Sequence, residues 1–279
     1  MRKFLLSIAA VALACAATLA QAESRFVEVR GNKLHVETAG SGSPILFLHG
    51  GVVFFANNFP AQRDYFASFR KVIGVDRRGH GHSPDNDQPF SYQEMAEDMA
   101  ALIVQMGMAP VDIVGHSDGG NIGLILARDH PGLVRRLVIS GANLKASLPP
   151  DELEKRARWP QAMVAEKAKQ MAEKLPPSFR PAYEKVTPDG ADHWWTLLAK
   201  SYRLWLTPVI ATPEDLKTIR IPVLVMAGDH DFTSIEETTL IYRSLPAGQM
   251  AILPGTGHGT FSVRPDLANL ITREFLERP

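Results

Sequence analysis

The stretch Val111-Asp112-Ile113-Val114-Gly115-His116-Ser117-Asp118-Gly119-Gly120-Asn121 decides the fold. Val111 to Val114 is a short apolar run of the kind buried on both faces of a parallel sheet, and Asn121 to His130 carries a helical pattern stopped by Pro131. Between them stands G-x-S-x-G. A serine on so sharp a strand-to-helix turn takes a strained backbone, and the residues two before and two after it nearly touch, so only very small ones fit. Gly115 and Gly119 meet that need. The turn lifts the Ser117 hydroxyl clear of the sheet and sets it at a helix N-terminus, where free N–H groups favour developing negative charge.

Outward from this turn the same alternation repeats. Phe26 to Arg30 and Lys33 to Thr38 flank Gly31-Asn32 and read as an antiparallel hairpin. Ile45 to Leu48, Val72 to Val75, Leu137 to Ile139, Val223 to Met226 and Met250 to Leu253 are further short apolar runs. Helical patterns lie between most of them. Ser91 to Met106 opens on Ser91-x-x-Glu94, a capping box, and Asp266 to Glu277 closes the chain. Strand alternating with helix predicts an α/β fold, a doubly wound, mostly parallel eight-stranded sheet.

The alternation fails once, from about Asn143 to Thr218. Two helical patterns, Asp151 to Leu175 and Ala191 to Leu206, fill that stretch, which predicts a helical insertion over the sheet rather than a long loop. The expected organisation is a signal segment at 1–22, a sheet core at 23–142 and 219–279, and a helical cap at 143–218. Trp194 and Trp195 within the cap are candidates for lining a substrate pocket, as are Phe54, Phe55 and Phe59, although aromatics at helical spacing commonly serve the core.

Composition narrows the function classes. The chain has 279 residues, 45% hydrophobic and 22% charged, with 30 basic residues against 30 acidic ones. That balance offers no electrostatic footprint for nucleic acid, so a small-molecule partner is expected. Arg2-Lys3, the apolar run from Phe4 and Ala20-Gln21-Ala22 predict a secretory signal peptide cut after Ala22, giving a secreted or periplasmic protein without a membrane anchor. The alternative is a lipoprotein anchored through Cys15, the single cysteine.

A serine hydroxyl needs a general base, and the base an orienting acid. Two later strand ends supply them: Gly228-Asp229-His230-Asp231, and Pro254-Gly255-Thr256-Gly257-His258-Gly259. The C-terminal ends of parallel strands are where such sheets bind ligands. His80 and His82 before Asp85 hint at metal, but no histidine follows closely after Asp85 to complete a local motif, so no metal is expected. Gly79-x-Gly81 has no third glycine opening a helix, so no dinucleotide cofactor is expected either.

Five motifs in order now carry a resemblance: Leu48-His49-Gly50-Gly51, Asp76-Arg77-Arg78-Gly79-His80-Gly81-His82-Ser83, the Ser117 turn, Gly228-x-x-Asp231 and the His258 loop. From about Phe26 onward the chain resembles the α/β-hydrolase fold superfamily. Within it, Gly115 to Gly120 followed by Ile139-Ser140-Gly141-Ala142-Asn143 looks most like the valacyclovir hydrolase (biphenyl hydrolase-like) esterases. The resemblance implies Ser117 as nucleophile, His258 as base and Asp231, three after the glycine, as acid, with Asp229 left to bind backbone in its turn. It implies an oxyanion hole from the backbone N–H groups of Gly51 and Asp118, and no cofactor. His49 is then expected to orient its loop. In those esterases the aspartate after the nucleophile is associated with the substrate's amino group, so Asp118 is also a candidate substrate-binding residue; a carboxylate at a helix N-terminus is stabilising without any ligand. The expected activity is serine hydrolysis of small or medium carboxylic esters, with C–C bond, lactone or amide hydrolysis or perhydrolysis as alternatives on the same triad.

Overall fold

A computed structural model describes residues 22–146, 148–207 and 209–278. Residues 1–21 of the proposed signal segment, Cys15 among them, lie outside the described residues. Eight strands form one sheet: β1 (Glu23–Val29), β2 (Asn32–Ala39), β3 (Pro44–Leu48), β4 (Lys71–Asp76), β5 (Val111–His116), β6 (Val134–Ser140), β7 (Val223–Gly228) and β8 (Gly248–Leu253). Their spatial order is β1-β2-β4-β3-β5-β6-β7-β8. Only the β1–β2 and β2–β4 pairings are antiparallel; the rest are parallel.

Between β3 and β4 come α1 (Phe55–Asn58) and α2 (Pro60–Ala67), then α3 (Tyr92–Gln105) and, after β5, α4 (Asp118–Asp129). The insertion after β6 holds α5 (Pro150–Ala157), α6 (Gln161–Ala172), α7 (Phe179–Glu184), α8 (His193–Leu204) and α9 (Pro213–Leu216). α10 (Ile235–Ser244) joins β7 to β8, and α11 (Thr260–Val263) and α12 (Pro265–Glu277) end the chain. No helix among the described residues is long and apolar enough to cross a membrane.

The apolar runs feed two cores by strand alternation. Leu46 and Leu48 of β3, Ile113 of β5 and Val223 and Val225 of β7 pack with α3, α4 and the insertion. Ile45 and Phe47, Val114, and Leu224 and Met226 face the other way, onto α1, α2, α11 and α12. Successive strand side chains point to opposite faces, so continuous hydrophobicity is what a sheet covered on both sides requires.

Two expectations need correction. The single helix read over Asp151 to Leu175 breaks at Trp159-Pro160 into α5 and α6, because proline lacks the N–H and pushes its predecessor out of helical backbone. The capping box at Ser91 is half made. Ser91 accepts from the Glu94 N–H at 3.4 Å, while the Glu94 carboxylate turns away to pair with Arg30 at 3.0 Å.

The insertion is pinned over the C-terminal ends of β3, β4 and β5. Tyr183 donates to the Gly79 carbonyl at 3.2 Å, Lys200 to Asp85 at 2.7 Å, and Trp205 to Asp118 at 3.0 Å.

Candidate active site

Ser117 links β5 to α4 with φ 52° and ψ −119°. A non-glycine residue held in such backbone stores on the order of 1–3 kcal/mol, which the surrounding contacts must hold in place. They are close. A Cβ on Gly119 would stand 1.9 Å from the Leu48 carbonyl oxygen, and one on Gly115 2.4 Å from that of Gly119. The Ser117 N–H donates to the Ser140 carbonyl at 2.8 Å, tying the turn to β6.

Asp231 and His258 follow β7 and β8, which are neighbours in the sheet. His258 Nδ1 lies 2.8 Å from Asp231 Oδ1, and the Thr233 N–H donates to the same oxygen at 3.0 Å. An ionised carboxylate only accepts, so Nδ1 carries the proton and Nε2 is left with a lone pair. Gly141, at φ 63°, makes room for the pair: a Cβ there would fall 2.7 Å from His258 Cε1. Asp229 is taken up as expected, accepting the Gly255 and Thr256 N–H groups at 3.0 and 2.9 Å. Phe232, largely exposed, lays its ring 4.1 Å from that of His258.

The loop after β3 is fixed by His49 together with a residue the sequence did not single out for it, Arg77. His49 Nε2 accepts the Arg77 backbone N–H at 3.0 Å, so Nδ1 holds the proton and donates to the Gly50 carbonyl at 2.7 Å. Arg77 Nη2 donates to the same carbonyl at 2.7 Å. His49 therefore orients its loop, as expected, but with Arg77 as partner. Burial, and next the Arg77 charge, hold the His49 imidazole well below its ordinary range. A second chain of bonds crosses the site. The Gly50 N–H donates to Asn58 Oδ1 at 2.9 Å, Asn58 Nδ2 stands 3.2 Å from His116 Nδ1, and His116 Nε2 stands 2.8 Å from the His258 carbonyl. Because the carbonyl can only accept, His116 Nε2 donates and Nδ1 accepts from Asn58. Burial, then the nearby His258, push the His116 imidazole down to about 4.

Asp118 opens α4, its side chain buried. Its carboxylate accepts Tyr92 Oη at 2.8 Å and Trp205 Nε1 at 3.0 and 3.2 Å, which accounts for it without a ligand. Burial, then the Asp118 charge, hold the Tyr92 hydroxyl well above its ordinary range, so it stays a donor. Trp205 also covers the Gly51 backbone, where a Cβ would be 2.6 Å from its Cζ2. The expected pocket tryptophans are elsewhere. Trp194 is buried in the core against Tyr183, and the Trp195 ring carries Arg180 at 4.9 Å and Lys169 at 5.9 Å. Phe55 and Phe59 belong to the core on the opposite face of the sheet. Trp205, which follows α8, is the cap tryptophan that reaches Asp118 and the Gly51 backbone.

Of the loop histidines, His80 is buried, bonds the Arg78 carbonyl at 2.9 Å and stacks on Phe90; burial pushes it down to about 3. His82 turns instead toward Asp76 and His35, and among the described residues these three make the one cluster with the donor set for a metal ion.

A family model described as "Alpha/beta hydrolase family" matches residues 45–268. The mouse (Mus musculus) "sn-1-specific diacylglycerol lipase ABHD11" is 27% identical over 244 residues, covering 82% of this chain and 79% of that protein. A "Non-heme haloperoxidase" of Rhodococcus erythropolis is 27% identical over 274 residues, covering 88% and 97%. Among solved structures, a thermophilic esterase from Thermogutta terrifontis superposes with a TM-score of 0.74 at 22% identity, covering 91% of this chain and 98% of that one. With the family match spanning most of the sheet and the insertion, this chain belongs to the alpha/beta hydrolase family.

Proposed function

We propose that the chain is a serine hydrolase that cleaves carboxylic esters of small or medium molecules through an acyl-enzyme. The observation that carries this reading is the combination of a strained Ser117 at a helix N-terminus with a hydrogen-bonded Asp231–His258 pair on the same rim of the sheet. Ser117 Oγ attacks the carbonyl carbon as His258 Nε2 takes its proton, and Asp231 steadies the imidazolium through Nδ1–H. The oxyanion is received by the backbone N–H groups of Asp118 and Gly51. Collapse of the tetrahedral intermediate expels the alcohol with the proton from His258, and water, activated by the same ring, then releases the acid. Each step is served by a named group, so the reading calls for no metal or organic cofactor. Export is part of the reading: the basic, apolar and Ala20-Gln21-Ala22 segments support a mature amino terminus at Glu23, and a mature protein beginning elsewhere overturns that part.

Titration with a fluorophosphonate tests the mechanism. Stoichiometric labelling of the wild type is expected, with none in Ser117→Ala, whose ester turnover should fall by at least about 10⁴-fold. Labelling that persists in Ser117→Ala sinks it. A panel of acyl, lactone and amide substrates then tests the preference for esters. Peroxide-dependent halogenation is the second activity to assay, because the Rhodococcus haloperoxidase is similar over 88% of this chain.

A further inference from the structure

We propose that His35, Asp76 and His82 form a binding site for one divalent transition-metal ion of the zinc type, separate from the Ser117 site. The three residues come from different places: His35 from β2, Asp76 from the end of β4, and His82 from the loop that follows. His35 Nδ1 lies 3.3 Å and His82 Nδ1 2.9 Å from the same oxygen, Asp76 Oδ2. Ligand atoms around a tetrahedral zinc with bonds of about 2.0–2.1 Å stand about 3.3 Å apart, so these separations suit a shared ion. The two rings stack at 4.3 Å, which brings both Nδ1 edges to one side of the carboxylate.

The framework is built before any ion arrives. The Phe55 N–H donates to Asp76 Oδ1 at 2.9 Å and the His82 N–H to Oδ2 at 3.0 Å, fixing the carboxylate plane. The His35 N–H donates to Ser83 Oγ at 2.8 Å, locking β2 to the loop. Bonds to a ligating carboxylate of this kind are the outer support that metal sites use. Without an ion, the ring N–H groups of His35 and His82 and the His82 backbone N–H all converge on Oδ2. With an ion, each imidazole takes its Nε2–H tautomer and offers the Nδ1 lone pair, and no group is oxidised or reduced. Two imidazoles and one carboxylate are a donor set that zinc, cobalt and nickel accept. The side chain of His82 remains 35% exposed, leaving a solvent side for water to complete the shell. The ion would clip the antiparallel strand β2 to the β4 loop, a structural role distant in topology from β5, β7 and β8.

The test is titration of tag-free protein with Zn²⁺ by calorimetry and with Co²⁺ by visible absorption, near neutral pH. One equivalent should bind, with cobalt bands of four-coordinate type and a raised thermal midpoint. Affinity should fall at least about tenfold in His35→Gln and in His82→Ala, since even outer-shell changes cost 10- to 100-fold. His82 is partly exposed and bonds only Asp76 through its ring, so His82→Ala is expected to fold; circular dichroism checks this. His258→Ala should bind the ion as the wild type does. No binding by the wild type overturns the proposal, as does binding that survives His82→Ala and is lost in His258→Ala.

Discussion

A trans peptide sets its N–H opposite its C=O, so holding the Gly50 carbonyl aims the Gly51 N–H. His49 and Arg77 hold that carbonyl from two directions at 2.7 Å, and this is how a buried arginine and a buried histidine would matter to the oxyanion hole proposed above, which is built from main chain. Asp118 presents the converse problem, a buried carboxylate beside the place where the proposed mechanism develops negative charge. Tyr92 and Trp205 donate to it, and the Arg77 guanidinium shares its field, so its charge is compensated. If those donors are the reason for the carboxylate, Asp118→Ala should lower kcat/KM on amino-acyl esters and on simple acyl esters by the same factor. The Asp118 N–H survives the change, so the loss should stay well below the roughly 10²–10³-fold in kcat that removal of an oxyanion donor costs. Parallel kinetics on matched substrates measure this. A loss confined to amino-acyl esters would instead make Asp118 an ammonium site.

At the scale of elements, a polar latch adds to the apolar packing that holds the insertion over the sheet. Asp85, in the loop between β4 and α3, accepts Lys200 Nζ at 2.7 and 2.8 Å and His193 Nε2 at 3.0 Å, both from α8. Burial alone would raise the Asp85 carboxyl; the bonds from His193 and Lys200 prevail and hold it below its ordinary value. Lys200→Met should therefore leave a largely buried carboxylate one partner short, at a cost of about 1–3 kcal/mol. Hydrogen exchange is expected to accelerate in α7 and α8 while β3, β5 and β7 keep their protection. Uniform acceleration through the strands, or none anywhere, contradicts the latch. The strands were legible because runs such as Val223 to Met226 are short, apolar and bounded by turns, and Ser117, Asp231 and His258 were legible because each sits just past such a run. Tyr92, Arg77, the His35–His82 pair and the bond from Trp205 to Asp118 were not. Their partners lie tens of residues away: the strand order, with β4 between β2 and β3, brings Arg77 to His49 and His35 to His82, while α3 carries Tyr92 and the end of α8 carries Trp205 to Asp118.

The whole molecule carries an acid sensitivity that follows from neutral histidines locked in its interior. His49 and His116 stand at opposite ends of the Gly50–Asn58 connection, each accepting a hydrogen bond on the ring nitrogen that protonation would occupy. Their folded-state values are depressed, His116 to about 4 and His49 well below its ordinary range, both chiefly by burial. In the unfolded chain the same rings take up protons as pH falls through about 6.5. Below that pH the unfolded state binds more protons than the folded one, so stability is fully present above about 6.5 and declines as pH falls, until His116 itself titrates in the folded protein near 4. Each ring contributes up to about 1.4 kcal/mol per pH unit in that window. His82, raised by its bond to Asp76, works the other way: its contribution is present at low pH and is lost as pH rises through its elevated value. It is half-exposed and offsets only part of two buried rings. Against a total stability of about 5–15 kcal/mol, a two-unit drop in pH should be plainly measurable. Urea unfolding followed by tryptophan fluorescence should show a lower midpoint at pH 5 than at pH 7. His116→Gln, which can keep a donor for the His258 carbonyl without a titrating ring, should shrink that difference. Equal midpoints at the two pH values would show that the buried imidazoles are not a source of acid sensitivity, and a difference unchanged in His116→Gln would show that His116 is not.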